Sequence, residues 1–346
     1  MSEQDLISPL QNKVLESELP IDLKERVSVR LEQMKALTNS PTFLPEIDKM
    51  TRYVDWITVL PWNKHTDDIL DLNHAREIMD KSHYGLDELK ERVLEYLAVM
   101  QLKGKSSQNI ARAPILCFVG LVGTGKTTFA ASLAEALGRK IARIPFGGMG
   151  SPLDLRGQSR AYPEAEPGRV IKALKDTQSK NCVILLDEID RVTEEGRSSI
   201  MGVLVELLDP QQNHAFVDHY IDFPFDLSEV VFIATANNTT NIATAVMDRL
   251  EPIQMPSYTD QEKTTIAQKY IMPRALEEAG LNEDVIKVSD EVWHQFVRPL
   301  GYDAGIRTLE RTVKAMVRKV AKEMVEGKGQ RFDITPDNVK NYLPQW

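Results

Sequence analysis

Gly120-Leu-Val-Gly-Thr-Gly-Lys-Thr127 carries the spacing G-x-x-x-x-G-K-[ST], with an apolar run, Ile115-Leu-Cys-Phe-Val119, before it and an Ala-rich stretch, Phe129 to Leu137, after it. That order predicts a strand, a loop and a helix. Gly120, Gly123 and Gly125 let the loop curl until its N–H groups face a phosphate, and Leu121, Val122 and Thr124 complete the cradle. Lys126 is placed to reach the β- and γ-phosphates, and the Thr127 hydroxyl to ligate Mg²⁺. The helix that begins here adds the positive end of its dipole. The implied ligand is a nucleotide, ATP, with Mg²⁺. A chance glycine turn is the bland alternative, and the flanking strand and helix argue against it.

About sixty residues on, Cys182-Val-Ile-Leu-Leu-Asp-Glu-Ile-Asp190 reads as a buried central strand ending in two acids. Asp187 is placed to hold Mg²⁺, directly or through water, and Glu188 to polarise an attacking water as general base. Open α/β sheets bind ligands at the carboxyl ends of their strands. The run Val230-Val-Phe-Ile-Ala-Thr-Ala236 ends at Asn237, whose amide could orient that water or touch the γ-phosphate. A turn asparagine is the alternative there, since Asn237-Asn238 also suits a turn. Arg249, after a short helix, could reach a neighbouring protomer's γ-phosphate. Arg307, at the start of a long helix, could fold back onto the phosphates.

The rest of the chain frames these motifs. Apolar runs at Ile115–Val119, Ile141–Pro145, Val183–Leu186, Val230–Ala234 and Ile253–Met255 alternate with helical stretches, which predicts an α/β fold with a parallel five-stranded sheet covered on both faces. Residues 1 to about 105 read as helical, with Leu23, Val27, Leu31 and Met34 on one face, Ile47, Met50, Val54 and Ile57 on another, and further helical stretches at Leu72–Met79 and Leu86–Leu102. Ser106-Ser107-Gln108-Asn109 reads as a loop. From residue 258 to 346 the pattern is helical again. The expected division is a helical neck (1–70), an α/β nucleotide-binding domain (71–257) and a small helical lid (258–346).

With 42% hydrophobic and 27% charged residues, the 346-residue chain has the composition of a globular protein and not of a disordered one. No run approaches the ~20 apolar residues that span a membrane, and the N-terminus lacks signal-peptide features, so no membrane association and a cytoplasmic setting are expected. Cys117 and Cys182 sit in strand-like runs and are expected as buried free thiols. A net charge of −9 argues against nucleic acid as the main partner. The basic stretch Arg311, Lys314, Arg318, Lys319 and Lys322 reads as a solvated helix face.

Together the motifs resemble the AAA+ ATPase module of the Lon family of ATP-dependent proteases. The resemblance runs over nearly the whole chain. It is carried by His83-Tyr-Gly-Leu86, Glu91 to Val99, Leu185 to Asp190, Leu208-Asp-Pro-Gln-Gln-Asn213, Phe216 to Tyr220, Pro224 to Ser228, Phe232 to Asn238, Gly305 to Arg311 and Leu60-Pro-Trp62. It implies a homo-oligomer, a hexameric ring, acting on protein substrates, with Arg249 as an arginine finger in trans and Arg307 as the second sensor. It implies an adenine pocket at His83 and Tyr84 and a pore-loop aromatic at Tyr162. Two prolines of the family's phosphate loop are replaced by Leu121-Val122. The pore segment, Arg160-Ala-Tyr-Pro-Glu-Ala-Glu-Pro-Gly168, carries Pro163, Glu164 and Glu166 where the family has small apolar residues. No run like the family's Gly-Pro-Ser-Ala-Gly peptidase motif occurs in these residues, so serine peptidase activity is not expected from them.

Three functions stay open at this point. The chain could remodel or unfold proteins by ATP hydrolysis, alone, with a separate peptidase, or as the ATPase part of a full Lon serine protease. It could be a nucleotide-gated ring scaffold that does not thread. It could be a nucleic-acid motor, the reading its charge disfavours.

Overall fold

The computed structural model describes residues 6–36, 38, 40–105, 115–298 and 305–344. The expected loop at 106–109 lies outside them. Five strands form one sheet: β1 (Ile115–Val119), β2 (Ile141–Pro145), β3 (Val183–Asp187), β6 (Val231–Ala236) and β7 (Leu250–Gln254). Two short strands, β4 (Phe216–Val217) and β5 (Pro224–Phe225), make a separate antiparallel pair. The sheet order is β2-β3-β6-β1-β7, and every pairing in it is parallel.

The order follows from composition. The interior strands read Ile-Leu-Cys-Phe-Val, Val-Ile-Leu-Leu-Asp and Val-Phe-Ile-Ala-Thr-Ala, and β3 and β6 are buried along their whole length. Such runs suit a strand covered on both faces. The two edge strands each carry a proline, Pro145 and Pro252. Proline lacks a ladder donor and is tolerated only where one side of the strand needs no partner. Cys117 and Cys182 are both buried, and burial pushes the Cys117 thiol up to about 12.

One apolar cluster covers one face of the sheet and continues without a break into the N-terminal helices Ile7–Glu16, Ile21–Lys35 and Phe43–Val59. The neck is therefore docked through a shared core. Trp62 is the join. Its indole N–H donates to the Ile57 carbonyl at 2.8 Å, and its ring centroid lies 4.8 Å from that of Phe225 and 5.9 Å from that of Phe223. A second cluster, from helices Leu72–Ser82, Asp87–Lys105 and Lys126–Ala136, covers the other face.

A third cluster belongs to the C-terminal unit, built on the helix Arg307–Val325. It is not purely helical. Strands β8 (Ile286–Val288) and β9 (Phe332–Ile334) pair in parallel there. Each is three residues long, too short for alternation to stand out from a helical pattern. The helix Asp260–Ile266 runs through a π-type segment, Ala267–Ile271, into Met272–Glu278. Pro273 follows at once, and its missing N–H explains why the ladder is rearranged before it.

Truncating Trp62 to Ala should cost about 3–5 kcal/mol by lost transfer and cavity formation. Urea unfolding followed by far-UV circular dichroism measures it, and a loss below about 1 kcal/mol would contradict the role of this ring as the neck's anchor.

Candidate functional site

The carboxyl ends of β1, β3 and β6 meet at one place. Gly123 and Gly125 take φ of +83° and +98°, left-handed values that glycine adopts without strain, and so turn the loop after β1 into the helix Lys126–Ala136. No side chain caps that helix start. Its first N–H groups are left to an anion.

Lys126 is buried. Its ammonium donates to the carbonyls of Gly120 at 2.7 Å and Leu121 at 2.9 Å, and to Asn237 Oδ1 at 3.1 Å. Burial lowers its pKa below the ordinary lysine value, while Asp187, Asp190 and Glu188 act the other way. Asn237 Nδ2 is buried and has no hydrogen-bond partner among the described residues. An orphaned donor of this kind wants an acceptor. Asp190, three residues past Asp187, holds the backbone N–H groups of Asn237 and Asn238 at 3.1 and 3.4 Å and so fixes the amide's position. Sequence reading assigned Asp190 no role; its place in Asp-Glu-Ile-Asp was the available signal.

Asp187 is buried at the end of β3. Its Oδ1 accepts from the Thr235 hydroxyl and, at 3.3 Å, from the Thr127 hydroxyl. Its Oδ2 accepts from Arg143, on the edge strand β2, at 2.6 Å. Glu188 follows with φ of +58°, left-handed and costly for a non-glycine residue, and its N–H donates to Thr235 Oγ1 at 2.9 Å. That turn separates the two acids' directions. The Glu188 carboxylate lies 3.9 Å from Arg191.

A cavity of about 140 Å³ is lined by Val122, Gly123, Gly125, Lys126, Thr127, Thr128, Arg143, Asp187, Glu188, Asn237, Ile306, Arg307 and Glu310. The structure thus gathers Lys126, Thr127, Asp187, Glu188, Asn237 and Arg307 around one space. The lid closes it from above: the Ile306 N–H donates to the Gly123 carbonyl at 2.9 Å. Gly305 approaches so closely that a Cβ there would lie 2.6 Å from the Val122 carbonyl oxygen. Leu121 is exposed at the loop's tip.

The donor set suits Mg²⁺. Thr127 and Asp187 supply two hard oxygens, and among the described residues no group of three or more His, Cys, Asp or Glu side chains could hold a metal by itself. Mg²⁺ takes one or two protein oxygens and completes its octahedron with water and phosphate oxygens.

Other expected residues lie apart from that cavity. Arg249 does not line it; its guanidinium donates to Asp209 Oδ2 at 2.9 Å and to the Ala245 carbonyl at 2.6 Å. Tyr84 is partly buried and packs against the lid core. His83 is buried beneath the phosphate loop. Its Nε2 pairs with Thr128 Oγ1 at 3.1 Å and its Nδ1 with Ser82 Oγ at 2.9 Å. Tyr162 is 65% exposed at the tip of a loop. Asp218 pins the base of that loop through the Gly168 N–H at 2.7 Å. Glu166 is drawn sideways to Lys172 at 2.5 Å, which leaves Tyr162 and Glu164 at the tip.

Comparison with known proteins defines the class first. Residues 116–258 match the family model for the ATPase family associated with various cellular activities (AAA), and residues 277–332 match that for the Lon protease AAA+ ATPase lid domain. The Lon protease of Halothermothrix orenii is 41% identical over 337 residues, 97% of this chain and 42% of that protein. That of Geobacter metallireducens is 45% identical over 298 residues, 86% of this chain and 36% of that protein. Lon protease 2 of Thermus thermophilus is 45% identical over 305 residues, 86% of this chain and 38% of that protein. The chain is a Lon-family AAA+ ATPase region, and it spans about two fifths of the length of these relatives. Among the described residues no helix is long and apolar enough to cross a membrane.

Burial lowers the His83 pKa from 6.5 to about 4, so between those values the unfolded chain binds one more proton than the folded one. Stability therefore falls as pH drops through that window, by about 2 kcal/mol between pH 7 and pH 5 from this group alone. His83→Gln should remove that share of the slope in urea unfolding at the two pH values. An unchanged slope would contradict a buried neutral His83.

Proposed function

We propose that this chain hydrolyses ATP and uses the energy to remodel or unfold protein substrates as a homo-oligomeric, hexameric ring. The observation that carries this reading is the Asn237 amide: its oxygen is held by Lys126, and its Nδ2 is buried in the wall of the phosphate cavity with no partner among the described residues. An amide so fixed can donate a hydrogen bond to a water or a γ-phosphate oxygen.

In this reading Lys126 gives up the loop carbonyls for phosphate oxygens. The backbone N–H groups of Leu121, Val122, Gly123, Thr124 and Gly125 donate to the phosphate chain, while the Gly120 N–H stays with the Ala236 carbonyl at 3.1 Å and Gly120 starts the turn. Thr127 and Asp187 hold Mg²⁺, which when bound neutralises charge on the β- and γ-phosphates. Glu188 takes the proton of a water that Asn237 aims at the γ-phosphorus. Arg307 contacts the phosphates from the lid, and Arg249 serves the neighbouring protomer's site, with Asp209 holding it ready. His83 supports the loop near the adenine side, and Tyr84 faces the base from beside the lid. Tyr162, exposed at its loop tip, grips substrate protein.

The relatives named Lon protease are more than twice as long, which favours one further reading: the same ATPase serving a peptidase, on the same polypeptide or a separate one. The chemistry of this site is the same in both.

Glu188→Gln should keep ATP affinity within about threefold and reduce turnover by at least about 100-fold, the scale of a lost general base. Substantial residual hydrolysis would remove Glu188 from its role. Unfolded casein should raise the ATPase rate of the wild-type chain; a rate indifferent to casein would favour a nucleotide-gated scaffold.

A further inference from the structure

The described residues contain two arginines that fork onto carboxylates from β2 and its approach, and they differ in one respect. Arg139 is buried, with its side chain 2% exposed, and it clamps Asp68 at 2.7 and 2.6 Å while also holding the Glu229 carbonyl. That is a structural pair. Arg143 is 58% exposed, yet the carboxylate it holds, Asp187, is 4% exposed. An exposed arm reaching a buried acid can leave; a buried one cannot.

Asp187 needs a cation. A buried carboxylate without one is strongly disfavoured. Lys126, which lines the same cavity, is committed to Gly120, Leu121 and Asn237. Arg143 supplies the charge instead, with Nε and a terminal nitrogen each 2.6 Å from Oδ2. The hydroxyls of Thr235 and Thr127 take Oδ1. The carboxylate is thus complete before any metal arrives.

Mg²⁺ and a guanidinium on one carboxylate repel each other, and Mg²⁺ also tolerates little distortion of its shell. Arg143 can yield. Its strand is at the sheet edge, its arm is in solvent, and it lines the same cavity as Lys126, Asn237 and Arg307. Released, it remains beside the phosphates, for which a guanidinium is a well-shaped partner.

We propose that Arg143 is a positioning residue that occupies Asp187 in the metal-free protein and is displaced when Mg²⁺ enters, so that it sets the Mg²⁺ concentration at which the site loads nucleotide. This rests on the reading of Asp187 as a metal-holding acid.

The test is a binding titration in the Glu188→Gln background, where turnover does not interfere. Mg²⁺ is varied at fixed fluorescent ATP analogue, and anisotropy reports binding. Arg143→Ala should lower the Mg²⁺ midpoint by about tenfold, and Arg143→Lys, a point charge that cannot fork, should fall between the two. A midpoint that is unchanged or raised in Arg143→Ala overturns the proposal. If Arg143→Ala fails to give a cooperative melt, Arg143→Gln, neutral and nearly as long, is titrated instead with the same criteria. Asp187→Asn separates the two layers. If it titrates like its parent, the reading of Asp187 is wrong. If it loses Mg²⁺ dependence while Arg143→Ala is silent, only the role of Arg143 fails.

Discussion

The insertion of β6 between β1 and β3 is the constraint on which the site depends. Parallel pairing on both sides, Cys117 with Ala234 and Leu186 with Ala234, sets where each strand ends. Asn237 then emerges between the phosphate loop and the acid pair, and Thr235 stands where its hydroxyl meets Asp187. In a strand, a slip of one residue turns every side chain to the opposite face. Here it would bury Asn237 away from Lys126 and turn Thr235 off Asp187. Register in an interior strand, buried on both faces, is what holds three separate loops to one geometry.

Within that frame the polar groups of the site satisfy one another, except Asn237 Nδ2. Lys126 binds loop carbonyls and Asn237; Asp187 is taken by Thr127, Thr235 and Arg143; the lid's Ile306 binds Gly123. Apart from the Lys126–Asn237 bond, each of these contacts is one a phosphate or a metal ion could replace. Exchange of equivalent partners costs less than exposure of bare groups in a low-dielectric site. The direct bond between the start of the lid helix and the loop also gives the lid a mechanical stake in what occupies the cavity. Its closeness at Gly305, where a methyl group would strike the Val122 carbonyl, restricts that position to glycine.

The interior strands and the phosphate loop were legible because their signals are local. Ile115–Val119 is a closed apolar run followed by a motif of fixed spacing, and Asp187-Glu188 marks the end of another. Arg143, Asp190 and Asp209 were not legible as partners. Each acts on a group far along the chain: Arg143 on Asp187, Asp190 on Asn237, Asp209 on Arg249. Charge and periodicity carry no record of such pairs. The start of β7 falls earlier than its apolar run Ile253–Met255 suggests: Leu250, Glu251 and Pro252 join the strand, and Pro252 is tolerated there because that strand is an edge. The lid's β8 and β9 were too short to register against the helices around them. His83 reads as an aromatic near the adenine, but only the fold shows that Thr128 and Ser82 occupy both of its ring nitrogens.

The central claim is that Asn237 is held by Lys126 and Asp190 so that its free amide N–H acts in the chemical step and not in binding. Single-turnover hydrolysis of ATP by Asn237→Ala, measured alongside equilibrium nucleotide affinity, tests it most directly. The predicted result is an affinity within about threefold of wild type with a hydrolysis rate lowered by about 100-fold, the scale of a lost orienting donor. A variant that hydrolyses at the wild-type rate, or one that loses affinity and rate by the same factor, would contradict it.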